Sequence, residues 1–127
     1  MKKKIIISGI GLFVVLLVVA FSLITSDLSS VRDVQLNGID VTALVDGRYV
    51  GTFERGRFTN TLIVHIENNA IVGIEIEDDV LAAWITNASG EVFRRVIEAQ
   101  DTQIDAVSGA TVTTNAYLRA IENALAN

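Results

Sequence analysis

No charged residue occurs between Lys4 and Asp27, and that run constrains where the chain can reside before it constrains how the chain folds. A helix that crosses a bilayer needs about 20 mostly apolar residues. Ile5 to Ile24 meets that length, interrupted only by Ser8, Gly9, Gly11 and Ser22. Small residues of this kind are common in membrane helices. Lys2, Lys3 and Lys4 precede the run, and only Arg32 stands near its far end. Positive charge favours the cytoplasmic side, so the expected topology is N-terminus inside and the rest of the chain outside. A cleaved signal peptide fits the same pattern, with Ala20-Phe21-Ser22 as its cleavage site. The run is long for a signal peptide, which favours an uncleaved, single-pass anchor in the cell membrane. Both readings put the remainder outside the cytoplasm. A lipoprotein is excluded, because the chain has no cysteine.

The organisation that follows is an anchor over residues 1–26, a stalk over 27–45 and one domain over 46–127. Ser26-Asp27-Leu28-Ser29-Ser30 reads as the exit from the membrane. Val31 to Leu44 is a stalk or short helix, with Val34 and Val41 expected to pack on the domain. The formal net charge is −5, and it is unevenly divided. All the lysines precede the apolar run, and every carboxylate lies from Asp27 onward. Such an acidic body argues against nucleic-acid binding. With no cysteine, disulfides and thiolate metal sites are also excluded.

Within the domain, Gly47 to Glu54 is short and β-prone. Thr61 to Glu67 places Leu62, Val64 and Ile66 on one face of a strand. Asn68-Asn69 is a turn that tolerates positive φ. Ile71 to Glu77 then puts Val72, Ile74 and Ile76 on one face, and Gly73, Glu75 and Glu77 on the other. The expected product is an antiparallel meander with one apolar and one wet face. Glu77-Asp78-Asp79 reads as a solvated turn, since metal ligands must converge from several places. Leu81 to Ile85 is an apolar patch without a clear period. Asn87-Ala88-Ser89-Gly90 looks like a helix entry capped by Ser89, followed by a stripe of Val92, Phe93, Val96 and Ile97. A second helix has Val112, Ala116, Tyr117, Ala120, Ile121, Ala124 and Leu125 on one side. The fold class is α+β: a small antiparallel sheet covered on one face by two helices, preceded by one N-terminal transmembrane helix.

The chemistry concentrates in Asp105-Ala106-Val107-Ser108-Gly109-Ala110-Thr111, which runs into Val112-Thr113-Thr114-Asn115. A tight turn of small residues leads directly into the second helix. Ser108 and Thr111 are both candidate N-caps. Gly109 admits a backbone conformation that a side chain would resist. A helix start offers free N–H donors and the positive end of a dipole, which suits a phosphate. A threonine hydroxyl there can hold a phosphate or be esterified to one.

This run resembles the flavinylation motif of the FMN-binding domain family, Asp-x-x-(Ser/Thr)-Gly-Ala-Thr. That family includes the flavin-carrying subunits of the sodium-pumping NADH:quinone oxidoreductase and of the Rnf electron-transport complex. Asp105, Ser108, Gly109, Ala110 and Thr111 meet every specified position. The likeness reaches back to Asp46-Gly47-Arg48-Tyr49-Val50-Gly51, similar to the family's opening Asp-Gly-x-Tyr-x-Gly, and forward to the chain end. The resemblance implies covalent FMN, joined through its phosphate to the hydroxyl of Thr111. It further implies a separate flavin transferase that uses FAD and a magnesium ion. Ser108 and Gly109 then shape the turn, and Asp105 is read by the transferase.

The chain departs from its relatives between sheet and helix. Many of them carry a Glu-Thr-Pro-Gly-like segment near the isoalloxazine ring, whereas this chain has no proline, and Asp78 to Gly90 does not match. Trp84 is a candidate for stacking on the flavin and Tyr117 a weaker one, with burial in the core the favoured role for each. The large insertions of the respiratory subunits are missing too. No hydrolytic machinery competes: the single histidine, His65, lies mid-strand, Glu75 and Glu77 share a wet face, and no phosphate-binding Gly-Lys-Ser/Thr occurs. The function expected is a membrane-tethered, extracytoplasmic electron carrier that passes electrons between membrane redox proteins or quinones and an extracytoplasmic acceptor. The alternatives are a scaffold module that never receives flavin or holds it loosely, and a small subunit of a larger oxidoreductase.

Overall fold

The computed structural model describes residues 2–80 and 88–126, with the side chains of Lys2 and Asp27 excepted. The apolar run lies inside helix α1, Lys2–Arg32. Its side chains from Ile5 to Ile24 project outward with no protein partner, and the helix is long and apolar enough to cross a membrane. At 1.5 Å per residue the whole helix is about 46 Å long, more than a hydrocarbon core of about 30 Å requires. Hydroxyls near the far end turn back onto their own helix: Thr25 Oγ1 donates to Phe21 O, and Ser29 Oγ to Ser26 O. The last two turns then join the domain, where Val31 is fully buried.

The sheet is the expected meander, β1 (Gly47–Phe53), β2 (Asn60–Glu67) and β3 (Ala70–Asp79), paired antiparallel in that order. Asn68 and Asn69 both take positive φ and close the β2–β3 hairpin in two residues. Leu62, Val64 and Ile66 share the covered face, as their alternation predicts. β3 departs from strict alternation. The register passes from His65↔Gly73 to Ile66↔Ile71, leaving Val72 as the extra residue of a β-bulge. A second bulge leaves Glu77 unpaired. Ile71, Ile74 and Ile76 therefore lie opposite Ile66, Val64 and Leu62, while Val72 is 50% exposed. Val72 thus does not belong to the apolar face. The acidic triplet is also not a turn, because β3 continues through Asp79.

Helices α2 (Ala88–Ala99) and α3 (Thr111–Leu125) complete the domain. α2 buries Val92 and Val96. Ser89 lies inside its first turn and is not the cap that the sequence suggests, while Leu81 to Asn87 fall outside the described residues. Gln100 follows α2 in a left-handed conformation, as helix C-termini often require. Its carboxamide donates to Ile71 O and accepts from Ile71 N, so it takes both backbone groups of that β3 residue. α3 lies across β1 and β2 and is the most buried element outside the sheet. The segment between α1 and β1 is laid on the domain, with Val41 buried and Val34, Leu36 and Ile39 packed on the core. Glu122, only 5% exposed, accepts from the N–H groups of Asn37 and Gly38 and from Thr102 Oγ1, and pairs with Arg119.

α3 approaches β1 most closely at Gly51. A Cβ there would stand 2.1 Å from Ala120 O and 2.4 Å from Ala124 N, both backbone atoms of α3. The helix must move off the sheet to admit it. Gly51→Ala is expected to cost about 3 kcal/mol and lower Tm by about 12 °C or more, read by thermal unfolding of the full chain in detergent.

Candidate functional site

The loop before α3 ends in a four-residue turn. Ala110 N donates to Val107 O at 2.9 Å, and Gly109 has φ +77° at the third position, the conformation of a type II turn. Only a residue without a Cβ takes that position without strain, which accounts for Gly109. Neither expected cap acts as one. Ser108 is the exposed second residue of the turn, and Thr111 is already the first residue of the helix. The cap position is held by Ala110, which has no side chain to offer its helix. The first helical hydrogen bond runs from Thr114 N to Ala110 O, so the N–H groups of Thr111, Val112 and Thr113 precede it uncapped.

Thr114 fastens the turn from the buried side and leaves those N–H groups free. Its hydroxyl donates to Ala110 O at 2.7 Å and accepts from Val107 N at 3.3 Å, which joins the two ends of the turn. A threonine bonding to the carbonyl four residues back is a recognised helical habit, and the sequence held that signal. The loop's other anchor is Arg95 on α2, which donates to Asp105 O and Ala106 O and is itself oriented by Glu91 at 2.8 Å. Its targets are backbone carbonyls, so no pattern of side chains announces it. The side chain of Asp105 remains exposed.

A groove of about 380 Å³ opens on the start of α3. Gly109, Ala110, Thr111, Val112 and Thr113 form one wall; Leu28 and Arg32 of α1, with Phe58, form the other. Thr111 is exposed into it. A Cβ at Gly109 would meet no atom within 4 Å, so the turn leaves open space beside the hydroxyl. Uncapped N–H donors, one guanidinium and apolar flanks match a group with an anionic phosphate and a flat organic body. FMN fits that description.

The two aromatic candidates separate. Trp84 lies outside the described residues. Tyr117 is a core residue, 1% exposed, with its ring edge-on to Phe93 at 5.6 Å. Its hydroxyl donates to Asp79, and burial followed by that hydrogen bond drives its pKa well above the usual phenol value. It therefore does not stack on a ligand in the groove. His65 sits on the sheet face away from the helices, 3.2 Å from Glu75.

The model of the FMN-binding domain matches residues 58–126, more than half of the chain, and the chain belongs to that family. It is a flavin-binding protein with FMN as its cofactor. The matched span begins at Phe58 in the groove and includes the whole turn and α3, while Leu28 and Arg32 lie before it. No curated protein matches the chain.

Acid tests the loop anchorage. Hydrogen bonds from Arg94 and then Arg95 lower the Glu91 carboxyl from 4.5 to about 2. A depressed native pKa stabilises the fold fully above the unfolded value and loses that contribution as pH falls through the native one. The Glu91 contribution is thus expected to be constant above pH 4.5 and to vanish toward about pH 2. Glu91→Gln should flatten the acid limb of the stability curve in that window, measured by denaturant unfolding at stepped pH.

Proposed function

We propose that the chain is a membrane-tethered, extracytoplasmic electron carrier whose FMN is phosphoester-linked to Thr111. The observation that carries this reading is an exposed threonine hydroxyl at an uncapped helix start, beside a groove in a member of an FMN-binding family. Attachment forms one bond from Thr111 Oγ1 to the phosphorus on the FMN side of FAD. It breaks the pyrophosphate link to AMP and passes the hydroxyl proton to a base on the transferase, with magnesium on the phosphates. Asp105 is free to face the transferase, because the loop is held through its carbonyls.

A flavin bound here supplies one- and two-electron redox chemistry. The chain's own residues hold and orient it. The turn fixes the Thr111 hydroxyl, the first turn of α3 offers N–H donors to the phosphate, and α1 keeps the site beside the membrane. With Lys2 to Lys4 on the cytoplasmic side, the domain lies outside, where covalent attachment prevents loss of FMN that could not be recovered. Membrane redox proteins or quinones are the natural partners.

The full chain, co-expressed with a flavin transferase and extracted in detergent, tests the reading by intact mass and by flavin fluorescence in a denaturing gel. The expected gain is FMN less one water. Thr111→Ala should lose it entirely while the stability stays within about 0.5 kcal/mol of wild type, because the side chain is exposed. An unmodified wild-type mass beside an active transferase overturns the covalent carrier and leaves a scaffold module that holds flavin loosely or not at all.

A further inference from the structure

We propose that Arg32, the last residue of the membrane helix, is the counter-charge for the phosphodiester at Thr111, so that α1 supplies a wall of the flavin site. The inference rests on the reading of Thr111 as the attachment residue. Arg32 lies before the span that matches the family, so family membership assigns it nothing.

Three observations place a cation here. Among the described residues, Arg32 is the only charged one lining the groove that holds Thr111. Its side chain is exposed and has no carboxylate partner among the described residues. Arg57, the nearby alternative, lies over the Phe58 ring at 5.2 Å and does not line the groove. The backbone beneath Arg32 is fixed from two directions. Val31 is fully buried, and Asn115 Nδ2 donates to Arg32 O at 3.3 Å. Asn115 is one helical turn after Thr111 and so shares its face of α3. Asn115 is thereby a positioning residue for the Arg32 wall.

The electrostatics require the charge. The groove lies between the start of α3, which favours an anion, and the end of α1, whose last carbonyls repel one. A guanidinium at the end of α1 reverses that repulsion and offers planar, directed donors to phosphate oxygens. The body of the protein is otherwise acidic. Arg32 stands eight residues beyond Ile24, about 12 Å along the helix, close to the level of lipid headgroups. A headgroup phosphate therefore has the same chemistry to offer, and the test must separate the two sources.

The full-length flavinylated protein is the sample. In phospholipid-free maltoside micelles, the ³¹P resonance of the attached phosphodiester is compared among wild type, R32Q and R32K, with flavin content checked by mass. R32Q is expected to shift the line and R32K to return it toward the wild-type position. In lipid nanodiscs, the ¹⁵Nε–Hε signal of Arg32, assigned by its loss in R32Q, is compared between flavinylated wild type and Thr111→Ala. It is expected to move with loss of flavin and to ignore the fraction of anionic lipid. An unchanged ³¹P line in R32Q, or no recovery in R32K, overturns the inference while leaving Thr111 as carrier. An Arg32 signal that follows lipid composition and not flavin assigns the residue to headgroups and overturns it likewise. A wild-type chain that never acquires flavin overturns both readings. Should R32Q fail to fold, R32M takes its place, and an unchanged ³¹P line there has the same overturning force.

Discussion

Glu122 is the buried charge on which the domain's closure depends. A carboxylate removed from water is tolerated only where donors surround it. Here they come from separate parts of the chain: the backbone after α1, Thr102 in the loop before the turn, and Arg119 on α3 itself. The same carboxylate thus draws the segment after α1 onto the helix that carries Thr111 and holds the loop between α2 and α3. Removing any one donor would leave the charge under-solvated, and this ties three separate segments into one unit.

The site inherits its geometry from that closure. Thr111 is placed by the turn, the turn by Thr114 from beneath and Arg95 from the side, and Arg95 by Glu91. The facing wall is placed by Val31 and Asn115. Few of these residues are chemically suited to touch a flavin. Their role is to bring an exposed hydroxyl, uncapped N–H groups and a guanidinium into one groove at the end of α1.

Much of this was legible in the sequence because the signals are local. Alternation in Leu62, Val64 and Ile66 and helical spacing from Val112 to Leu125 found the sheet face and α3, and Asn68-Asn69 found the hairpin turn. The Asp105–Thr111 run stood out because turn, helix start and hydroxyl are consecutive. What escaped was non-local or broke the period. A bulge at Val72 shifts the strand by one residue without changing its composition. Ala110 at the cap position offers no side chain, and the turn is instead fastened by Thr114 four residues later. Arg95 and Glu122 bind backbone groups far away in sequence, and a backbone group has no letter in the sequence to mark it.

Gln100 has a consequence beyond its own turn. A three-stranded sheet has two open edges, and each is a template for another chain. By occupying both ladder groups of Ile71, the Gln100 carboxamide stands where a foreign strand would have to begin pairing. If α1 anchors the chain as proposed, copies share a two-dimensional surface, where domains meet in similar orientations and at raised local density. On such a surface a single side chain that blunts one edge guards against edge-to-edge polymerisation of neighbouring copies, a hazard that dilution would hide for the same domain free in solution.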